Sequence, residues 1–142
     1  QLLVNLRLWG LIDTDLTPLA EYTALVAEHC GVPIPPNYPA LGADAFRTGT
    51  GVHASAVVKA LRRGDRALAD SVYSGVPASV VGRSQRIEVG PMSGQSNIVF
   101  WLEQHGFDAR PETVARIFDA AKGSDRLLTD EQLHALARGG LD

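Results

Sequence analysis

The chain has 142 residues, 45% of them hydrophobic, with 13 Lys and Arg against 16 Asp and Glu and a formal net charge of −3. That length buries the core of one domain, and the near-balanced charge leaves no footprint for nucleic acid or an anionic membrane surface. The single cysteine, Cys30, excludes an internal disulfide and a cysteine zinc cluster, and no apolar run approaches transmembrane length.

The chain reads as helices joined by loops, with one weak strand. Residues 2–9 form an amphipathic helical run stopped by Gly10, and no Ser, Thr, Asp or Asn precedes it as a cap. With Gln1 in first place, this start predicts a piece of a longer protein. A second helix opens at Thr17 with Pro18 in the favoured first position and runs to Cys30. Leu19, Tyr22, Leu25, Val26 and His29 make its apolar stripe, and Gly31 fits a left-handed cap. Cys30, near the helix end, is expected to be a small buried apolar residue.

Four prolines within Val32–Pro39 rule out helix and predict an extended linker packed along a surface. A third helix spans Val52 to about Arg62, with Ala54, Val57, Val58 and Leu61 facing inward. A further helical turn is expected within Asp65–Ser71, and a short one from Pro77 through Val81. Arg86–Val89 alternates like a strand and is broken at Gly90-Pro91. Then come a helix from Asn97 to His105 capped by Ser96, one from Pro111 to Gly123, and one from Thr129 with Gln132 completing a capping box.

The segment Arg47-Thr48-Gly49-Thr50-Gly51-Val52-His53 carries the most chemistry. Thr50 is a good N-cap, since its hydroxyl can accept from one of the first free N–H groups of the helix. His53 then falls in the first turn, where the positive end of the helix disfavours the imidazolium form. A neutral ring beside glycines and N–H donors suits proton transfer, or binding of an anion or carbonyl oxygen. A structural histidine in an ordinary capped loop is the plainer alternative. Tyr73, in a turn, is a second candidate, against the commoner role of a half-buried aromatic whose hydroxyl meets the backbone. His29, His105 and His134 lie near helix ends or on helix faces without metal-ligand spacing. Asp13 and Asp15 flank a helix start, where carboxylates are favoured. The connection Gly123–Leu128 is too long, and the last helix too little basic, for a DNA-binding helix pair.

Taken in order, Ile34-Pro35-Pro36-Asn37-Tyr38-Pro39, Gly42-Ala43-Asp44-Ala45-Phe46, Gly51-Val52-His53-Ala54, Tyr73, Val81-Gly82-Arg83 and Gly90 with Ser93-Gly94 resemble the 2-isopropylmalate synthase and homocitrate synthase family. The resemblance covers nearly the whole chain. It implies a mainly α fold of small helical subdomains with at most one or two short strands, following the end of a TIM barrel that is absent here. On that basis residues 1–31 are C-terminal barrel helices and 32–47 a proline-rich linker. Residues 48–94 are subdomain I, carrying the site residues, and 95–142 are helical subdomain II.

The implied activity is a Claisen-type condensation of acetyl-CoA with a 2-oxo acid, followed by thioester hydrolysis, in amino-acid biosynthesis such as that of leucine. His53 and Tyr73 match residues delivered to the partner subunit's active site in a homodimer, with Arg47, Thr50 and Gly51 as weaker substrate or CoA contacts. The family's divalent metal (Mg, Mn or Zn) is held by barrel residues outside this chain. Ala54-Ser55-Ala56 after the histidine looks more like homocitrate synthases, so a homocitrate or citramalate synthase-type substrate is the alternative. A non-catalytic helical dimerisation module is the alternative of another class. With no signal peptide or transmembrane run in view, a cytoplasmic setting is the default expectation, the charge predicts no nucleic-acid or membrane partner, and the chain alone is expected to be inactive.

Overall fold

The computed structural model describes residues 1–140; the last two residues of the expected subdomain II lie outside the described residues. The architecture is mainly α. In chain order it contains α1 (Leu2–Leu8), α2 (Leu19–Cys30), β1 (Arg47–Thr48), α3 (Gly51–Arg62), α4 (Arg66–Ser71), a 3-10 turn (Ala78–Val81), β2 (Arg86–Ile87), α5 (Gln95–Gln104), α6 (Pro111–Gly123) and α7 (Asp130–Arg138). The expected strand Arg86–Val89 shortens to Arg86–Ile87, and the Val89 carbonyl accepts instead from the Leu128 N–H at 2.9 Å. No helix among the described residues is long and apolar enough to cross a membrane.

The residues fall into two compact units. The first comprises Gln1–Arg47 and Asp65–Gln85. Its small core is Val4, Leu16 and Val81, ringed by Leu19, Leu41, Phe46 and Val76. Asp15 braces the approach to α2 by accepting from the Thr17 backbone N–H at 2.9 Å and from its hydroxyl at 3.0 Å. Pro18 is the residue before α2 rather than its first member, although its φ of −72° and ψ of −8° are already helical. Gly31 ends α2 at φ 65°. Gly82 is required at φ 69°, and a Cβ there would stand 2.8 Å from the Thr17 carbonyl oxygen. Beside it, Arg83 donates to the carbonyls of Ala40 (3.2 Å) and Gly42 (2.7 Å) and lies over the Phe46 ring. Ala40 and Phe46, both at positive φ, are thereby held in a conformation non-glycine residues rarely adopt.

The α2 stripe is where expectation and structure part. Tyr22, Leu25 and Val26 are exposed, and α2 contains no buried residue. The linker residues Val32, Pro33, Ile34 and Pro35 do run beside α2, and with Tyr38 they leave a cleft of about 260 Å³. Cys30, at the last position of α2, is an exposed free thiol at the rim of that cleft rather than a buried residue.

The second unit comprises Thr48–Gly64 and the chain from Arg86 onward. Its core is Val89, Ile98, Trp101, Leu102, Val114, Ile117, Ala121, Leu128, Leu133 and Leu136, drawn from α5, α6, α7, the loop before α5 and the loop between α6 and α7. α3 packs on α5. Ala54, Val57, Val58 and Ala60 form the buried side of α3, so Ala60 takes the place expected of Leu61. At its far end Arg62 forks onto Glu103 of α5 at 2.8 and 2.9 Å. Thr129 and Gln132 make the expected reciprocal cap of α7. Gly94, not Ser96, caps α5, because Asn97 at the third helical position accepts from the Gly94 N–H.

Candidate functional site

Thr50 stands at the N-cap of α3 with extended backbone (φ −82°, ψ 136°), but its hydroxyl makes no capping hydrogen bond. A loop does that work instead. The N–H of Gly51, first in the helix, donates to the Met92 carbonyl at 3.0 Å. Gly51 and Gly94 meet backbone to backbone: a Cβ on Gly51 would sit 2.8 Å from the Gly94 nitrogen. The tertiary contact therefore displaces the local cap that residue type alone predicts.

Two buried polar side chains bolt this junction. The Ser93 hydroxyl reaches the Gly49 carbonyl at 2.7 Å and the Glu88 carbonyl at 3.2 Å, and accepts from the Gly90 N–H at 2.9 Å. The Asn97 amide donates to the Glu88 carbonyl at 2.9 Å and reaches the Gly49 carbonyl at 3.4 Å. Lys122, from α6, clamps the same loop through the carbonyls of Pro91 (2.7 Å) and Ser93 (2.9 Å). The Glu88 N–H donates to the Thr48 carbonyl, its carboxylate pairs with Arg86 at 2.9 Å, and Arg86 also reaches Asp130. The entry to α3 is thus fixed from both flanks by the chain from Arg86 to Asn97.

His53 lies in the first turn of α3. Its side chain is on the exposed face, while Ala54 beside it is fully buried. A fixed helix start with an outward imidazole can offer a ring nitrogen to a molecule arriving from outside, as proton acceptor or as hydrogen-bond donor. Val52, in the same turn, is also exposed. Tyr73, half-exposed, belongs to the first unit and His53 to the second. Of the weaker candidates, Arg47 pairs with Asp44 at 2.9 Å, Thr50 is half-buried at the cap, and the Gly51 N–H is engaged by Met92. Sequence reasoning passed over Asn97. Its one legible signal is an Asn three residues after Gly94, the reciprocal-cap spacing.

The remaining histidines pair locally. His29 and His105 each set Nδ1 against the carbonyl four residues back, Leu25 (2.9 Å) and Trp101 (2.8 Å). His105 stacks on Trp101, and His134 meets the same ring edge-on. The described residues do not fit a divalent metal: no three His, Cys, Asp or Glu side chains among them stand together to hold one.

No protein-family model matches the chain. Curated proteins do match it. It is 35% identical over 130 residues to the homocitrate synthase of Pyrococcus abyssi, covering 92% of this chain and 33% of that protein. It is 33% identical over 110 residues to the (R)-citramalate synthase of Aquifex aeolicus, covering 76% of this chain and 19% of that protein. With the "Probable 2-isopropylmalate synthase" of Ignicoccus hospitalis it shares 30% identity over 122 residues, covering 86% of this chain and 27% of that protein. The chain spans about a third or less of the length of these relatives. The chain belongs to the family of homocitrate, 2-isopropylmalate and citramalate synthases, as a stretch of that part of their length.

Proposed function

We propose that this chain is part of an acyltransferase that condenses acetyl-CoA with a 2-oxo acid and then hydrolyses the thioester, and that it supplies His53 and Tyr73 to a composite site. The observation that carries this reading is an exposed imidazole on a helix start fixed by buried hydrogen bonds, in a chain similar to such synthases over most of its length. The His53 ring would take the proton as a C–H bond of the acetyl methyl group breaks. Alternatively, a ring N–H of His53 or the Tyr73 hydroxyl would donate to the thioester oxygen as its charge grows. The oxo-acid pocket and any divalent metal belong, on this reading, to residues outside the chain, and the partner subunit of a homodimer receives the two side chains. The oxo acid, on this reading, is one of those used in homocitrate, isopropylmalate or citramalate synthesis.

The test is acetyl-CoA-dependent thiol release, by the chain alone and by the chain joined to the barrel of a relative. The reading expects release only from the joined protein. Turnover by the isolated chain would contradict it.

The exposed apolar residues of α1 and α2 favour a second, compatible role in self-association. If His53→Ala leaves turnover of the joined protein unchanged and the dimer intact, the chain is a dimerisation module without catalytic function.

A further inference from the structure

We infer that Ser93 and Asn97 are positioning residues that aim His53, an inference that rests on His53 being the reacting group. Both are almost wholly buried, at 2% and 0% exposure. Buried polar side chains are costly unless satisfied, and apolar residues could fill the same space beside Ile98 and Leu102. Here each is satisfied almost entirely by backbone, and the same two carbonyls, Gly49 and Glu88, receive both. One of them leads into α3; the other opens the loop lying against its first turn. The pair therefore fixes the register between the start of α3 and α5, rather than simply filling the core.

Gly49 lies two residues before the helix, and His53 is the third residue of its first turn. Gly51 admits no Cβ against Gly94, and Ala54 is locked inward, so the helix has little room to slide or roll. A shift at Gly49 carries directly to the imidazole. Displacement of a reacting group by about 1 Å costs on the order of 100-fold in rate.

The experiment compares Ser93→Ala, Gly51→Ala and Glu103→Gln. Ser93→Ala removes the hydroxyl bolt. Gly51→Ala keeps every side-chain bond but pushes α3 off Gly94. Glu103→Gln weakens the ion pair at the far end of α3 and serves as the control. Two readouts are taken: kcat and KM of the joined protein, and the ring resonances of His53 in the full 142-residue chain by NMR.

The expected result is a fall in kcat of about 10- to 100-fold with KM values little changed, and displaced His53 resonances, in Ser93→Ala and Gly51→Ala but not in Glu103→Gln. Resonances and kcat in Ser93→Ala that match the control, at whatever loss of stability, would overturn the inference. Should Ser93→Ala fail to fold, Gly51→Ala and the volume-keeping Ser93→Cys decide it by the same readouts. Should His53→Ala prove fully active, the catalytic reading fails, and the NMR shifts alone still say whether Ser93 sets the ring's position.

Discussion

At the scale of single residues, the structure separates groups whose types look alike. Thr50 and Thr129 both occupy N-cap positions, yet only Thr129 accepts a capping bond, from the Gln132 N–H. Thr129→Ala should therefore cost about 1 kcal/mol and Thr50→Ala only a few tenths, read as shifts in the urea midpoint. Equal losses would mean that the Thr50 hydroxyl caps α3 after all. Gly31 and Gly82 make a second contrast. Both have positive φ, but a Cβ at Gly31 meets open space and one at Gly82 meets the Thr17 carbonyl. Gly82→Ala should destabilise clearly more than Gly31→Ala, whose cost is the backbone strain of about 1 kcal/mol. The sequence marked His53, Thr50 and Gly51 because caps and glycine turns are local signals. It could not mark the Ser93 and Asn97 bonds, whose acceptor at Gly49 lies 44 and 48 residues away.

At the scale of elements, α5, α6 and α7 follow their periodicity closely, since each has an apolar face with partners in its own unit. α2 has the same kind of stripe and buries nothing. Apolar spacing reports which face wants covering, not what covers it. The capped start of α7 also carries a pH signature. The backbone N–H of Glu131 itself, then the Thr129 hydroxyl, hold the Glu131 carboxyl below its ordinary value. A lowered folded pKa contributes stability above the unfolded value, and that contribution disappears as pH falls through the folded one. Glu131→Gln should therefore reduce the loss of stability on acidification below about pH 4.5, with little change in slope nearer neutrality. An unaltered acid limb of the stability curve would argue against the contact.

For the whole molecule, Leu2, Trp9, Leu11, Tyr22, Leu25 and Val32 are large apolar side chains left exposed in the first unit, the kind of surface on which copies associate. Light scattering at micromolar concentration should accordingly give a mass above that of the 15.2 kDa monomer; a clean monomer would contradict this. The family was legible because its motifs recur in a fixed order through the chain, and identities of 30–35% to longer synthases agree with it. The sequence does not relate His53 to Tyr73, 20 residues further on, and the two belong to separate compact units.

The central claim is that His53 handles the proton or the thioester oxygen. Its most direct test is the turnover of the joined, full-length protein carrying His53→Ala, at saturating acetyl-CoA and oxo acid. Because the side chain is exposed, the fold and oligomeric state should be unchanged, and kcat should fall by about 100- to 10,000-fold. A variant that folds, assembles and turns over within a few-fold of the parent would contradict the account.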